Sequence, residues 1–403
     1  MTGFAIAGRQ TGATSGSAGD FILPLALLRA RRNVKWNKYP PDVLPAWVAD
    51  MDFAVAPPVQ QAIERLVSQQ DYGYGSPANE GALADAFAER MSACFGWNPD
   101  RDRLVCVADL VQAITVCLSV FSEPGDGVVI QTPIYPQFLK AVSNTGRRLV
   151  ANPMIDDGSR FIIDLDQLSR LDPNSARILL FCNPHNPSGR VFERSELLAL
   201  GEIAIRNDWI VISDEIHADL LYEGAHIPFA SLSAEFAART ITITSATKAF
   251  NLPALRTALI HFGSADLLRH FHSAIPDRFL GQVSSIGVEA TVAAWRDGQR
   301  WLDAVLALLK ANRDRMTKIL REELPEIRFH PPEATYLGWL DCRGLALKSP
   351  AFQFFLDTAK VAFSDGTDFG AGFSHCVRMN FGTSPEVLGQ LLERMVGAIR
   401  QRP

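Results

Sequence analysis

The stretch Thr240-Ile241-Thr242-Ile243-Thr244-Ser245-Ala246-Thr247-Lys248 decides how this chain is read. A strand-like run of β-branched residues ends in small and hydroxylated residues, and then in a lysine. A lysine on an exposed helix is usually solvated. Lys248 follows a run that reads as buried, where an amine is useful only if it can reach something. Arg256 lies eight residues further on. Upstream, a second apolar run, Trp209-Ile210-Val211-Ile212-Ser213, ends in Asp214-Glu215-Ile216-His217. Two strand ends therefore carry a base, an acid, a hydroxyl and a guanidinium. Glu215 competes with Asp214 for the acidic role, but alternation along a strand turns it to the opposite side.

Outward from these two runs the pattern repeats. Strands are predicted over 104–107, 127–131, 177–182, 209–213, 240–244 and 258–262. Helix-period segments lie between several of them, one opened by Pro57-Pro58 with Val59, Ile63 and Leu66 on one face, another over 193–207. Strands apolar throughout and separated by helices imply an α/β fold with a mostly parallel central sheet covered on both faces. Functional loops then gather at the carboxyl ends of the strands. From Trp295 onward the pattern changes. A long helix from Trp301 to about Glu323 precedes the short strand-like runs Tyr336–Leu340 and Cys376–Asn380, which suggest a smaller α+β domain. The expected division is a flexible arm over 1–20, a large domain over 57–294, and a small domain built from 21–56 and 295–403.

Three further strand ends carry polar chemistry. Cys182-Asn183-Pro184-His185-Asn186-Pro187-Ser188-Gly189 is a stiff, turn-rich loop. It is either a structural turn or a mount for the Asn186 amide. Thr132-Pro133-Ile134-Tyr135-Pro136 fixes an aromatic ring between prolines, as a stacking surface or as core. Asp109-Leu110-Val111-Gln112 follows the strand at 104–107. A helix starting there would offer free backbone amides to a phosphate.

One ligand needs all of these groups. Pyridoxal phosphate takes a lysine as a Schiff base, a carboxylate at its pyridine nitrogen, a donor at its phenolic oxygen, a ring to stack on, and a hydroxyl, a guanidinium and amides at its phosphate.

With those residues assembled, the chain resembles the fold-type I, aspartate-aminotransferase-like family of pyridoxal-phosphate enzymes. The marks are Asn186-Pro187-Ser188-Gly189, Asp214, Ser245-x-x-Lys248, Arg256 and Arg378, in that order. Trp47-Val48-Ala49-Asp50-Met51-Asp52-Phe53, Tyr72-Gly73-Tyr74 and Lys248-Ala249-Phe250-Asn251-Leu252 are similar to the PatB/MalY branch, the cystathionine β-lyase or C–S lyase group. The resemblance implies Lys248 as Schiff-base lysine and proton-transfer base. It implies Asp214 at the pyridine nitrogen, Asn186 at the phenolic oxygen, with His217 near it, and Tyr135 on the ring. Ser245, Arg256 and the amides around Val111 and Gln112 would take the phosphate. Arg378 would fork onto the substrate carboxylate. Tyr74 would reach the phosphate of a neighbouring subunit, which implies a homodimer with shared sites.

The implied reaction is β-elimination from cystathionine or another S-substituted cysteine, giving a thiol, pyruvate and ammonia. Transamination uses the same residues and is the alternative. Arg256 and the segment Asp109–Gln112 depart from the usual pattern of the lyase branch. An added regulatory binding role is a third possibility for which no sequence mark is visible.

The bulk numbers fit a globular enzyme. The chain has 403 residues, 47% hydrophobic and 21% charged, with a net charge of −5. No basic block gives a nucleic-acid footprint, and no apolar run is long enough to span a bilayer. The six cysteines form no Cys-x-x-Cys pair. They read as small buried hydrophobes in a reducing compartment, with neither disulfides nor a metal site. The expected location is the cytoplasm, and the expected partner is a small amino acid.

Overall fold

A computed structural model describes residues 18–276 and 278–402. Most of the arm expected over 1–20 therefore lies outside the described residues. The central sheet has seven strands: β1 (Leu104–Val107), β2 (Gly127–Thr132), β3 (Arg148–Pro153), β4 (Ile178–Cys182), β5 (Ile210–Asp214), β6 (Thr240–Thr244) and β7 (Ala258–Phe262). Their order is β1-β7-β6-β5-β4-β2-β3. β7 runs antiparallel to both β1 and β6, and the other neighbours are parallel. The sheet is thus mixed but mostly parallel.

Every residue of β2, β4 and β6 is buried. The alternate side chains feed two separate apolar clusters. Val128, Ile130, Ile212 and Ile243 pack with helix α3 (Leu110–Phe121) and helix α4 (Pro136–Asn144). Val129, Leu179, Phe181 and Val211 pack with helix α5 (Arg194–Arg206) on the other face. Burial on both faces is what makes these strands apolar throughout, each Ile, Val or Leu contributing about 1.5–3 kcal/mol.

A third, larger cluster joins helices α1 (Pro57–Gln69), α2 (Pro77–Phe95), α6 (Ser285–Asp297), α7 (Gln299–Glu323) and α8 (Pro385–Arg400) to a second sheet. That sheet has four strands, β8 (Arg328–Phe329), β9 (Leu337–Asp341), β10 (Ser364–Asp365) and β11 (Cys376–Asn380), in the order β8-β9-β11-β10 and antiparallel throughout. The segment Leu44–Pro45 pairs with Val361–Ala362, so the N-terminal segment joins the C-terminal part of the chain.

A strap over residues 47–52 crosses between the two sheets. Its backbone is pinned from several directions. Asn380 Nδ2 donates to Val48 O and Asp50 O at 2.6 and 2.8 Å. Asn251, at φ 59°, accepts from Met51 N and donates to Met51 O and Phe53 O. Lys35 donates to Asp50 O and pairs with Asp52 at 2.8 Å, both side chains being almost wholly buried. Trp36 Nε1 donates to the other Asp52 oxygen. Lys35→Met is expected to leave the Asp52 charge buried and under-paired, costing about 3–5 kcal/mol. A urea unfolding midpoint equal to wild type would refute this.

Candidate active site

Register brings the predicted strand ends to one edge. Cys182 pairs with Asp214, and Asp214 with Ile243, so β4, β5 and β6 finish together. Beyond that edge lies a cavity of about 910 Å³, whose walls include Lys248, Asp214, Asn186, Tyr135, His217, Ser245, Arg256, Val111 and Arg378. Of the candidates read from sequence, Gln112 and Tyr74 do not line it. Trp47 and Tyr39 line the cavity, whereas Phe53 and Tyr336 are fully buried in the core.

Lys248 lies within the turn that follows β6. Its Nζ donates to the Ala49 carbonyl on the strap at 2.8 Å, and Tyr336 Oη donates to the same oxygen at 3.2 Å. Desolvation lowers the Lys248 pKa to about 8, and the nearby Arg378 charge pushes the same way. Asp214 ends β5, is buried, and accepts a side-chain hydrogen bond from Ile216 N at 3.0 Å. Burial raises its pKa to about 7. Glu215 turns the other way, accepting from Ser213 Oγ and Phe229 N and pairing with His226. The alternation argument for Asp214 thus has a structural counterpart.

Arg378, on β11, is buried beneath the cavity. Its guanidinium lies 5.0 Å from the Phe369 ring centroid and 5.9 Å from that of Tyr135. It donates to Asn186 Oδ1 at 2.9 Å, and to Trp47 O and Ser364 Oγ at 3.0 Å each. Nε makes no hydrogen bond among the described residues, and burial lowers the pKa to about 10. With its Oδ1 turned to Arg378, Asn186 has its NH₂ group to offer a ligand. The loop carrying it is clamped at Gly189, whose φ is +70° and where a Cβ would lie 2.2 Å from Pro332 Cβ. The amides of Glu333 and Ala334 both donate to Gly189 O.

His217 is buried, its Nδ1 has no partner among the described residues, and burial lowers its pKa to about 3. It is neutral near pH 7, so it can accept or donate one hydrogen bond without adding charge.

The phosphate end departs from the sequence reading. The Gln112 amide is not free: Asp109 caps α3, and Gln112 N donates to Asp109 Oδ1 at 2.8 Å. Arg256 pairs with the other Asp109 oxygen at 2.5 Å. Ser245 Oγ donates to Thr257 O at 2.6 Å and lies 2.9 Å from Thr247 Oγ1. Thr247 also lines the cavity, a hydroxyl that sequence reading passed over. Tyr74 is 96% exposed and borders a different, smaller cleft. In a single chain it cannot serve this cavity.

These residues suit a group that carries a ring cation, an electrophilic carbon and a phosphate. A buried carboxylate whose pKa burial raises to about 7, in the same cavity as a lysine with a lowered pKa, suits a protonated pyridine as its partner. Comparisons with known proteins agree. The profile described as "Aminotransferase class I and II" matches residues 47–395. The chain is 34% identical to cystathionine beta-lyase PatB of Bacillus subtilis, over 91% of this chain and 97% of that protein. Among solved structures it superposes on OvoB with a TM-score of 0.88 at 38% identity, covering 93% of this chain and 98% of that one. It superposes on the PLP-bound C–S lyase of Staphylococcus hominis with a TM-score of 0.86 at 28% identity, covering 95% and 99%. The fold and the site define a fold-type I pyridoxal-phosphate enzyme. The chain belongs to the aminotransferase class I and II family.

Proposed function

We propose that the chain is a C–S β-lyase that cleaves cystathionine or a related S-substituted cysteine. The observation that carries the chemistry is the convergence of the Lys248 amine, the Asp214 carboxylate and the Arg378 guanidinium on one cavity. The near full-length likeness to PatB and to the Staphylococcus hominis C–S lyase favours elimination over transamination.

Pyridoxal phosphate, when bound, supplies a conjugated ring that accepts the electron pair left at the substrate Cα. The chain supplies everything else. Lys248 is the group that would hold the cofactor and then move the Cα proton. Asp214 would keep a proton on the ring nitrogen, and the Asn186 NH₂ would be the donor for the ring oxygen. Tyr135, which lines the same cavity, would cover the ring. Arg378, already oriented by Asn186, Trp47 and Ser364, receives the α-carboxylate. The Cα–H and Cβ–S bonds break, the sulfur leaves as a thiolate, and one water is consumed as the remainder becomes pyruvate and ammonia.

Tyr74 supports a homodimer: it is exposed in one chain and would complete the site of a second. The six cysteines are free thiols, which suits a cytoplasmic location. No helix among the described residues is long and apolar enough to cross a membrane.

The test is to incubate the purified protein with cystathionine and with an S-alkyl cysteine, assaying free thiol and pyruvate. Both products are expected without added keto acid. Absence of thiol, with a keto acid formed only when an acceptor keto acid is supplied, would establish the aminotransferase instead.

A further inference from the structure

Three of the donors expected to receive the cofactor phosphate, the Gln112 amide, Arg256 and Ser245, are already engaged within the chain. Asp109 takes two of them with its two oxygens, the Gln112 amide at 2.8 Å and the Arg256 guanidinium at 2.5 Å. Ser245 spends its proton on Thr257 O or Thr247 Oγ1. Asp109 also lines the cavity, so its charge faces whatever enters there. Arg256 is held at φ +50°, as the left-handed cap of the short turn 253–255, which places its side chain beside α3.

We infer that Asp109, whose side chain is 34% exposed, is an anion at the phosphate end of the cavity that weakens this chain's hold on the cofactor. The inference rests on the pyridoxal-phosphate reading above. A phosphate group carries close to two negative charges near neutral pH. To bind, it must share Arg256 with a carboxylate and sit near that carboxylate's charge. Of the nearby groups, the Val111 amide makes no hydrogen bond among the described residues and is free to donate at once. Thr247 can add its hydroxyl. The Gln112 amide is gained only as Asp109 releases it, and Arg256, whose Nη2 Asp109 holds, is shared. Cofactor occupancy then responds to cofactor concentration more than it would in a chain with a neutral residue here.

Asp109→Asn isolates the charge, because asparagine caps a helix as well as aspartate does. The measurement is the dissociation constant of pyridoxal phosphate for the apoprotein, by tryptophan-fluorescence titration, with inorganic phosphate as competitor. Asp109→Asn is expected to tighten cofactor binding at least tenfold. It should also lower by a similar factor the inorganic phosphate concentration that blocks binding. Thermal unfolding of each apoprotein checks that the helix start survives, and Asp109→Ser, another capping residue, serves if the asparagine variant does not fold. Equal or weaker binding by a folded variant would overturn the inference, for Asp109 would then be steadying Arg256 for the phosphate. Failure of wild-type protein to take up pyridoxal phosphate at all would instead overturn the cofactor reading, and this inference with it.

Discussion

Lys248→Ala is expected to lower kcat for thiol release by on the order of 10⁴-fold, the upper end of what a positioned base supplies. The cost arises twice from one atom. Nζ is the amine that would hold the cofactor, and in the proposed reaction it would also be the base that takes the Cα proton. Its neutral fraction matters for the second task. An ordinary lysine at pH 7 is unprotonated about once in 3,000 molecules. Burial lowers the Lys248 pKa to about 8, so roughly one free amine in ten is neutral at that pH. The Ala49 carbonyl holds the amine at the cavity wall without neutralising it. Lys248→Arg is therefore not expected to rescue activity, since a guanidinium stays charged and cannot accept the proton. Rates of thiol release in single-turnover assays, with cofactor absorbance recorded alongside, separate the two losses. A Lys248→Ala protein retaining more than about 1% of wild-type kcat would remove Lys248 from the chemistry.

Different parts of this site were legible for different physical reasons. The strands ending at Thr244 and Asp214 stood out because burial on both faces makes them apolar, so the first polar residues beyond them mark the sheet edge. β3 was not anticipated. It is an edge strand with mostly exposed or half-buried residues, and it contains Arg148, Asn152 and Pro153, which suits an edge and dilutes the strand signal. The antiparallel placement of β7 was equally hidden, because a buried strand reads the same in either direction. The strap over residues 47–52 was recognisable only through family resemblance. Its contribution at Ala49 is a backbone carbonyl, which no side-chain pattern announces. The engagement of Gln112 has a signal in the sequence. Asp109 followed three residues later by Gln112 is a capping-box spacing; Asp109 does accept from Gln112 N, while Gln112 Oε1 reaches back to the Ala108 amide, one residue before the cap, at 2.8 Å. That spacing predicts a helix whose Gln112 amide is served by its own cap.

Asp214→Asn is expected to reduce kcat by about 10²- to 10⁴-fold while leaving the protein folded and able to hold cofactor. The carboxylate has no cationic partner within hydrogen-bond reach among the described residues, and burial raises its pKa to about 7. A protonated pyridine beside it would supply the missing charge, and the two would form a buried ion pair. Removing one member of such a pair costs about 3–5 kcal/mol, and each 1.4 kcal/mol is about a factor of ten in rate. The effect falls on kcat because the ring must carry positive charge while the electron pair at Cα is being accepted. Asparagine keeps the side-chain shape and can still accept from Ile216 N, so the loop should hold its course. The measurements are kcat for thiol and pyruvate release, and the absorbance of bound cofactor as a function of pH. In wild type the ring nitrogen should stay protonated across neutral pH. In Asp214→Asn it should lose its proton, and the absorbance should change accordingly. A variant with kcat within tenfold of wild type and an unchanged spectrum would mean that the ring nitrogen is held by some other group, and that the buried carboxylate serves the loop at Ile216 instead.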